Sequence, residues 1–160
     1  MKNMIVKGLT LVCILSLVFA CNANNGVSSA AVDKEQIKKE IQAKEDQFAE
    51  LYNKGELKDI GYYADDATSF FQNRPPLVGK PAIVAFLKDD ILDNTDKISF
   101  KTNEVFVSND GNLVLEVGYF KVADSANVTF NTGHYMTLFE KRDGKYVAVR
   151  DMSASDVPIK

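Results

Sequence analysis

Few side chains in this sequence are equipped for chemistry, and the most suggestive pair lies near its end. Tyr135 and Asp151 stand on either side of Arg142-Asp143-Gly144, a turn signal between two runs of β-branched and aromatic residues. A three-residue loop with Gly144 as its left-handed bulge residue sets Lys141 opposite Lys145. The register then pairs Phe139 with Val147, Thr137 with Val149 and Tyr135 with Asp151, all on one face because side chains alternate with period two. His134, Met136 and Leu138 fall on the opposite face with Ala148, Arg150 and Met152. A slip of one residue would exchange the partners of every residue in the second strand.

A carboxylate beside a phenol supplies a base and a hydrogen-bond donor. Its plainer role is structural, with Asp151 accepting a hydrogen bond from Tyr135 or the backbone. Arg150 and Glu116 offer either an ion pair between strands or a clamp for an anionic ligand. Asp65 and Asp66, within "GYYADDATSFF", read as turn and cap residues, because aspartate bonds its own backbone in turns. His134, the only histidine, sits among apolar neighbours and reads as an interface residue. One histidine cannot assemble a zinc site. The sequence also lacks a glycine-rich phosphate loop and any Ser-His-Asp or Cys-His spacing. No metal or cofactor is expected.

The positioning elements begin after a leader. Lys2 and Lys7 precede an apolar run from Leu9 to Phe19, and Val18-Phe19-Ala20-Cys21 resembles a lipobox, whose cysteine is acylated. Residues 1–20 are therefore expected to be a lipoprotein signal peptide. Cys21 is then the lipid attachment point and the sole remaining cysteine, since Cys13 leaves with the leader. Residues 21–31, rich in Asn, Ser, Gly and Ala, read as a flexible tether. Residues 32–156 form one domain, with a tail at 157–160. Removing Lys2 and Lys7 changes the charge balance from 19 − 22 = −3 to 17 − 22 = −5. A mildly acidic chain without a basic block argues against nucleic acid as a partner.

Within the domain, Asp33 opens a helix whose apolar face carries Ile37, Ile41, Phe48, Leu51 and Tyr52, and Gly55 closes it. A short helix is predicted over Glu56 to Tyr63, then a turn through "ADDAT" into a strand over Thr68 to Phe71. Gly79-Lys80-Pro81 starts a third helix, with Ile83, Phe86, Leu87 and Ile91 as its buried stripe. Four strands follow, over Ile98 to Ser108, Leu113 to Ala123, Phe130 to Lys141 and Tyr146 to Ala154. Helices first and strands after give an α+β layout with helices on one face of a curved sheet.

The segments "YADDAT", "PPLVGKPAIVAFL" and "GHYMTLFEKRDGKYVAVRDMSASD" resemble the nuclear transport factor 2-like superfamily, within it the SnoaL-like group related to ketosteroid isomerases and polyketide cyclases. The resemblance implies a cone: a curved, largely antiparallel sheet wrapped around three helices, with a central cavity. It also implies that the face bearing Tyr135, Thr137, Phe139 and Asp151 looks into that cavity. Three catalytic positions of the isomerases are not matched. Phe70 and Phe71 stand where their general base would be, Phe48 where their first-helix tyrosine would be, and Tyr135 or Met136 where their protonated aspartate would be.

The expected function follows from both readings. It is a protein held in the bacterial cell envelope through lipid on Cys21, with a cavity for a small, partly apolar molecule. Phe48, Tyr52, Tyr63, Phe71, Thr137, Phe139 and Arg150 are the expected ligand contacts. An isomerase, cyclase or dehydratase using Asp151 as base and Tyr135 as donor is the alternative, and a protein-interaction module with a filled cavity is another. The outer sheet face with His134, Met136, Leu138 and Met152 would leave an apolar patch in water, so a homodimer is expected.

Overall fold

The computed structural model describes residues 32–93 and 95–158. The leader, the tether, Cys21 and the last two residues of the tail lie outside these. The domain contains helix α1 (Lys34–Lys54), a single 3-10 turn (Leu57–Asp59), strands β1 (Tyr63–Phe70) and β2 (Leu77–Val78), and helix α2 (Lys80–Asp93). Four long strands follow: β3 (Lys97–Val107), β4 (Leu113–Ala123), β5 (Thr129–Arg142) and β6 (Lys145–Ser155). They form one mixed sheet in the order β2-β1-β6-β5-β4-β3, in which only β1 and β6 run parallel. This is the α+β cone, with the helices of the N-terminal half on the sheet's concave side.

The α1 ends are specified locally. The Asp33 carboxylate accepts from the Gln36 N–H at 3.0 Å, and Gly55 closes the helix with φ 74°. Its inner face buries Ile41, Glu45, Phe48, Ala49 and Tyr52, of which Glu45 alone is a carboxylic acid.

Docking of α1 depends on two side-chain amides. The Gln42 amide donates to the Phe100 carbonyl at 3.2 Å and accepts from the Thr102 N–H at 2.7 Å. Asn53 does the same at Ile98, donating to its carbonyl at 2.9 Å and accepting from its N–H at 2.8 Å. The two residues are three helical turns apart and so share a face. Together they satisfy the outward backbone groups of β3, which is the sheet's edge. An open edge is a template for unwanted pairing, and here α1 covers it.

Four features of the sequence reading are corrected. The segment before β1 is a 3-10 turn rather than a helix to Tyr63. "YADDATSF" is strand throughout, yet its register to β6 shifts between Tyr63 and Thr68. Asp65 and Asp66 are therefore strand residues in an irregular stretch, not a turn. Asp66 is held there by Arg142, whose two terminal nitrogens reach its carboxylate at 2.5 and 3.1 Å.

The last hairpin is tighter than expected. Arg142 pairs with Lys145 across a two-residue loop, with Asp143 at φ 50° and Gly144 at φ 77°. Two positive φ values make a type I′ turn, which matches strand twist and suits Asp-Gly. Phe139 then pairs with Ala148, not Val147. A bulge follows, leaving Val149 as the extra residue, so that Leu138 pairs with Arg150 and Thr137 with Asp151. Tyr135 faces Ser153. Without that bulge the tight turn would put Asp151 opposite Met136, on the outer face.

The outer face carries a row of register partners, Phe70–Met152–Met136–Val117, across four strands. Phe70, Met152 and Met136 are each at least 40% exposed.

If the amide contacts dock α1, Gln42→Ala and Asn53→Ala should each cost about 1–2 kcal/mol, since each strands two backbone groups of β3. Gln47→Ala, on the exposed side of the same helix, should change stability by less than about 0.5 kcal/mol. Thermal or urea melts of the three variants check this, and equal effects at all three would refute it.

Candidate functional site

Between α1, α2 and the concave face of the sheet lies a cavity of about 290 Å³. Its wall is mostly aromatic. Phe48 stands 4.8 Å from Tyr62 and 5.7 Å from Phe100, and Phe100 stands 5.4 Å from Tyr135, ring centroid to ring centroid. Phe71 and Phe86 pack together at 4.6 Å on another part of the wall. Offset and edge contacts of this kind are the favoured aromatic geometries.

Polar groups enter the wall from five elements: Glu45 and Tyr52 from α1, Tyr63 from β1, Asp90 from α2, Thr137 and Tyr135 from β5, and Asp151 and Ser153 from β6, with Tyr62 just before β1. Glu45 and Glu116 form the deepest cluster, with relative exposures of 1% and 0%. The Tyr62 hydroxyl donates to Glu45 Oε1. Glu116 Oε1 accepts from Thr102 Oγ1 at 2.5 Å and from the Tyr135 hydroxyl at 2.8 Å. Its Oε2 is buried with no hydroxyl or amide donor.

Glu45 and Glu116 act on each other electrostatically. Burial, and then the neighbouring Glu116 charge, hold Glu45 well above the usual carboxyl range. Burial also raises Glu116, but hydrogen bonds from Thr102, Glu45 and Tyr135 oppose the shift. Both shifts favour the neutral acid, more strongly at Glu45, as expected of two buried carboxyl groups side by side. The Tyr62 hydroxyl serves Glu45, and those of Thr102 and Tyr135 serve Glu116.

Asp151 is a different case. Its side chain is raised to about 6 by burial, only partly offset by the Ser69 and Tyr63 hydroxyls. The Tyr63 hydroxyl reaches Oδ2 at 3.4 Å, a weak bond, and Oδ1 has no well-aligned donor. Asp90, by contrast, accepts from the Tyr52 hydroxyl.

Of the residues singled out by sequence, Phe48, Tyr52, Tyr63, Phe71, Tyr135, Thr137 and Asp151 line the cavity. Phe139 is wholly buried but lies behind the wall, its ring 5.6 Å from that of Tyr62. Arg150 points from the outer face, where it donates to the backbone carbonyls of Val149 at 2.5 Å and Asp66 at 3.3 Å. The bulge at Val149 is the reason, since it pairs Arg150 with Leu138 on the outer face and turns Asp151 to the cavity side. Glu116 is consequently not the partner of Arg150. Nor does Asp151 pair with Tyr135, whose proton goes to Glu116. Glu45 was missed. Its signal was present as a charge at the i+4 position after Ile41 and before Phe48, on the helix's apolar face. Among the described residues, no group of three or more His, Cys, Asp or Glu is arranged to hold a metal ion.

Residues 46–149, more than half of the chain, match the SnoaL-like domain, and the chain belongs to that family. No curated protein matches it. Solved structures of the same fold include a Nostoc punctiforme domain with a cystatin-like fold, 16% identical, with a TM-score of 0.66 over 79% of each chain. A ketosteroid isomerase-like protein from Erwinia carotovora is 16% identical with a TM-score of 0.60, over 75% of this chain and 96% of the other. An NTF-2 like protein from Shewanella oneidensis is 22% identical with a TM-score of 0.59, over 74% and 98%.

The raised pKa of Glu45 predicts opposite outcomes for two substitutions. Glu45→Gln should keep the melting temperature within about 2 °C, because an amide can accept from Tyr62 and donate to Glu116. Glu45→Ala should cost about 3 kcal/mol or more, since it leaves Glu116 buried without its carboxyl partner. The pH dependence adds a check. A raised carboxyl pKa means the folded state holds a proton that the unfolded chain gives up, so stability falls as pH rises above the ordinary glutamate value of 4.5. Glu45→Gln should flatten that fall without abolishing it, because Glu116 and Asp151 are shifted in the same direction. An unaltered pH profile would show that Glu45 is ionised in the fold.

Proposed function

We propose that this protein binds a small, partly apolar molecule in its aromatic cavity, at the bacterial cell envelope, on a lipid anchor at Cys21. The observation that supports binding is the cavity itself. Some 290 Å³ of space lies among aromatic rings with a few carboxyl and hydroxyl groups in the wall, the usual form of a small-molecule site. A pure interaction module has no use for such space, and filling it with side chains would gain stability.

Binding fits the geometry better than catalysis. Asp151 has the pKa of a potential base, but a base needs a partner that supplies or stabilises charge at the reacting atom. Tyr135 was the candidate, and its hydroxyl is committed to Glu116. The Glu45 carboxyl is likewise engaged, accepting from the Tyr62 hydroxyl.

Native mass spectrometry of the protein purified from its own host should show an adduct of a few hundred daltons or less, released on collisional activation. Ser153→Phe, which places a ring at a cavity-lining position, should lose the adduct while melting normally. Protein that carries no adduct, even after incubation with a host extract, would count decisively against a ligand site.

The anchor rests on the sequence Val18-Phe19-Ala20-Cys21. A fatty-acid probe should label the wild type and leave Cys21→Ser unlabelled, with the variant released from the membrane fraction. Label retained in Cys21→Ser, or a wild type found in the soluble fraction, would refute it. Two or three acyl chains hold a protein on a membrane stably, where a single chain does not.

A further inference from the structure

The cavity wall is acidic and aromatic. Glu45, Asp90 and Asp151 contribute carboxyl groups from three elements, and among the described residues no lysine, arginine or histidine lines the space. Arg74 is outside it, with its guanidinium 4.0 Å over the Phe86 ring. The groups that face Asp151 are the Tyr63 and Ser69 hydroxyls on β1, Thr137 on β5 and the carboxyl of Glu45 on α1. All are neutral or acidic.

Near pH 7 Asp151 brings a negative charge to this wall, being mostly ionised one unit above its value of about 6. Buried charge without a counter-ion is costly, several kcal/mol per ion by general experience. Hydroxyl groups offset the Asp151 charge only in part, since Oδ1 lacks a well-aligned donor and the Tyr63 bond to Oδ2 is long. What this wall lacks is a positive group with N–H donors.

We propose that the cavity takes an organic ammonium ion: a primary amine on a small aromatic or alkyl skeleton, its ammonium paired with Asp151 and its skeleton among Phe48, Tyr63, Phe100 and Tyr135. This step rests on the reading of the cavity as a ligand site. A cation gains there in two ways, by a charge-assisted hydrogen bond to a carboxylate and by the negative faces of the surrounding rings. An anion of the same size meets repulsion from the Asp151 carboxylate. A neutral ligand leaves the Asp151 charge without a counter-ion.

Isothermal titration of the full chain with three probes of one size separates these classes: phenethylamine, phenethyl alcohol and hydrocinnamate. Phenethylamine should bind at least tenfold more tightly than the alcohol, and hydrocinnamate should show no measurable binding. The amine's affinity should rise about tenfold from about pH 5 to about pH 7 as Asp151 ionises, while the alcohol's stays level. Asp151→Asn should remove the preference for amine over alcohol and the pH dependence together. The wild-type pH series serves as an independent test in case that variant folds poorly. Equal affinity for amine and alcohol, or tighter binding of hydrocinnamate, would overturn the ammonium assignment and leave the cavity as a ligand site. Absence of binding by all three would overturn it too, and the mass-spectrometric adduct then decides the broader reading by itself.

Discussion

The seating of α1 on the edge of the sheet is the constraint from which the rest of this structure follows. A curved sheet with one long exposed edge has two problems: unpaired backbone groups on β3, and a concave face that must be covered. Gln42 and Asn53 address both at once, because their amides mimic the donor and acceptor of a neighbouring strand. A hydrogen bond from a flexible side chain is worth only about 1 kcal/mol net, but leaving buried strand groups unmade costs more. The contacts thus fix position more than they add stability. With the helix held at residues 42 and 53, the face between them, Glu45, Phe48 and Tyr52, can only look into the cone.

This seating is what makes a buried glutamate tolerable. An isolated carboxylate at 1% exposure would be expelled or would unfold its surroundings. Glu45 survives because the sheet offers a second carboxylate at the right height and Tyr62 offers a donor. The raised pKa of each favours the neutral acid, and the Thr102 and Tyr135 hydroxyls serve Glu116. Such a network is sensitive to incompleteness, since each missing member strands a buried polar group. It couples the helix to the residue before β1 and to β3, β4 and β5, through Tyr62, Thr102, Glu116 and Tyr135. Asp151, served by one long bond, is the member of the wall that the fold itself does not satisfy.

Much of this architecture was legible in the sequence. Asp33 and Gly55 bracket α1, and the alternating runs around Asp143-Gly144 mark the last hairpin. The register was harder. The cues for a three-residue and a two-residue loop differ by one residue, and nothing local announces the bulge at Val149. The two departures add: the tight turn shifts the pairing by one and the bulge by one more in the same sense, and a shift of two restores the original face. Asp151 therefore reaches the cavity face as expected, but opposite Thr137 instead of Tyr135. Arg150 and Phe139 illustrate the limit of period-two reasoning. One is turned outward next to a bulge, and the other is inward yet covered by the ring of Tyr62. Glu45 was hidden by the rule that charged residues face water, which fails where a partner lies across the core. Asp65 and Asp66 read as turn residues because aspartate often is one, whereas here a distant arginine holds Asp66 at a strand irregularity.

Why the cone stays open among so many large rings is a matter of where those rings lie. Gly118 is the register partner of Tyr135, and Gly133 is that of Phe120. A methyl group at Gly118 would collide with the Tyr135 ring, and one at Gly133 with the Phe120 ring. Each aromatic side chain thus lies flat across a glycine on the adjacent strand instead of rising into the cone. Glycine weakens a strand interior by its entropy and its missing side chain, so two of them facing two aromatics exchange some sheet stability for space. The same arrangement carries the Tyr135 hydroxyl to Glu116. The residues that keep the cavity empty are therefore also those that complete its buried acid pair, and an alanine at Gly118 would be felt in both.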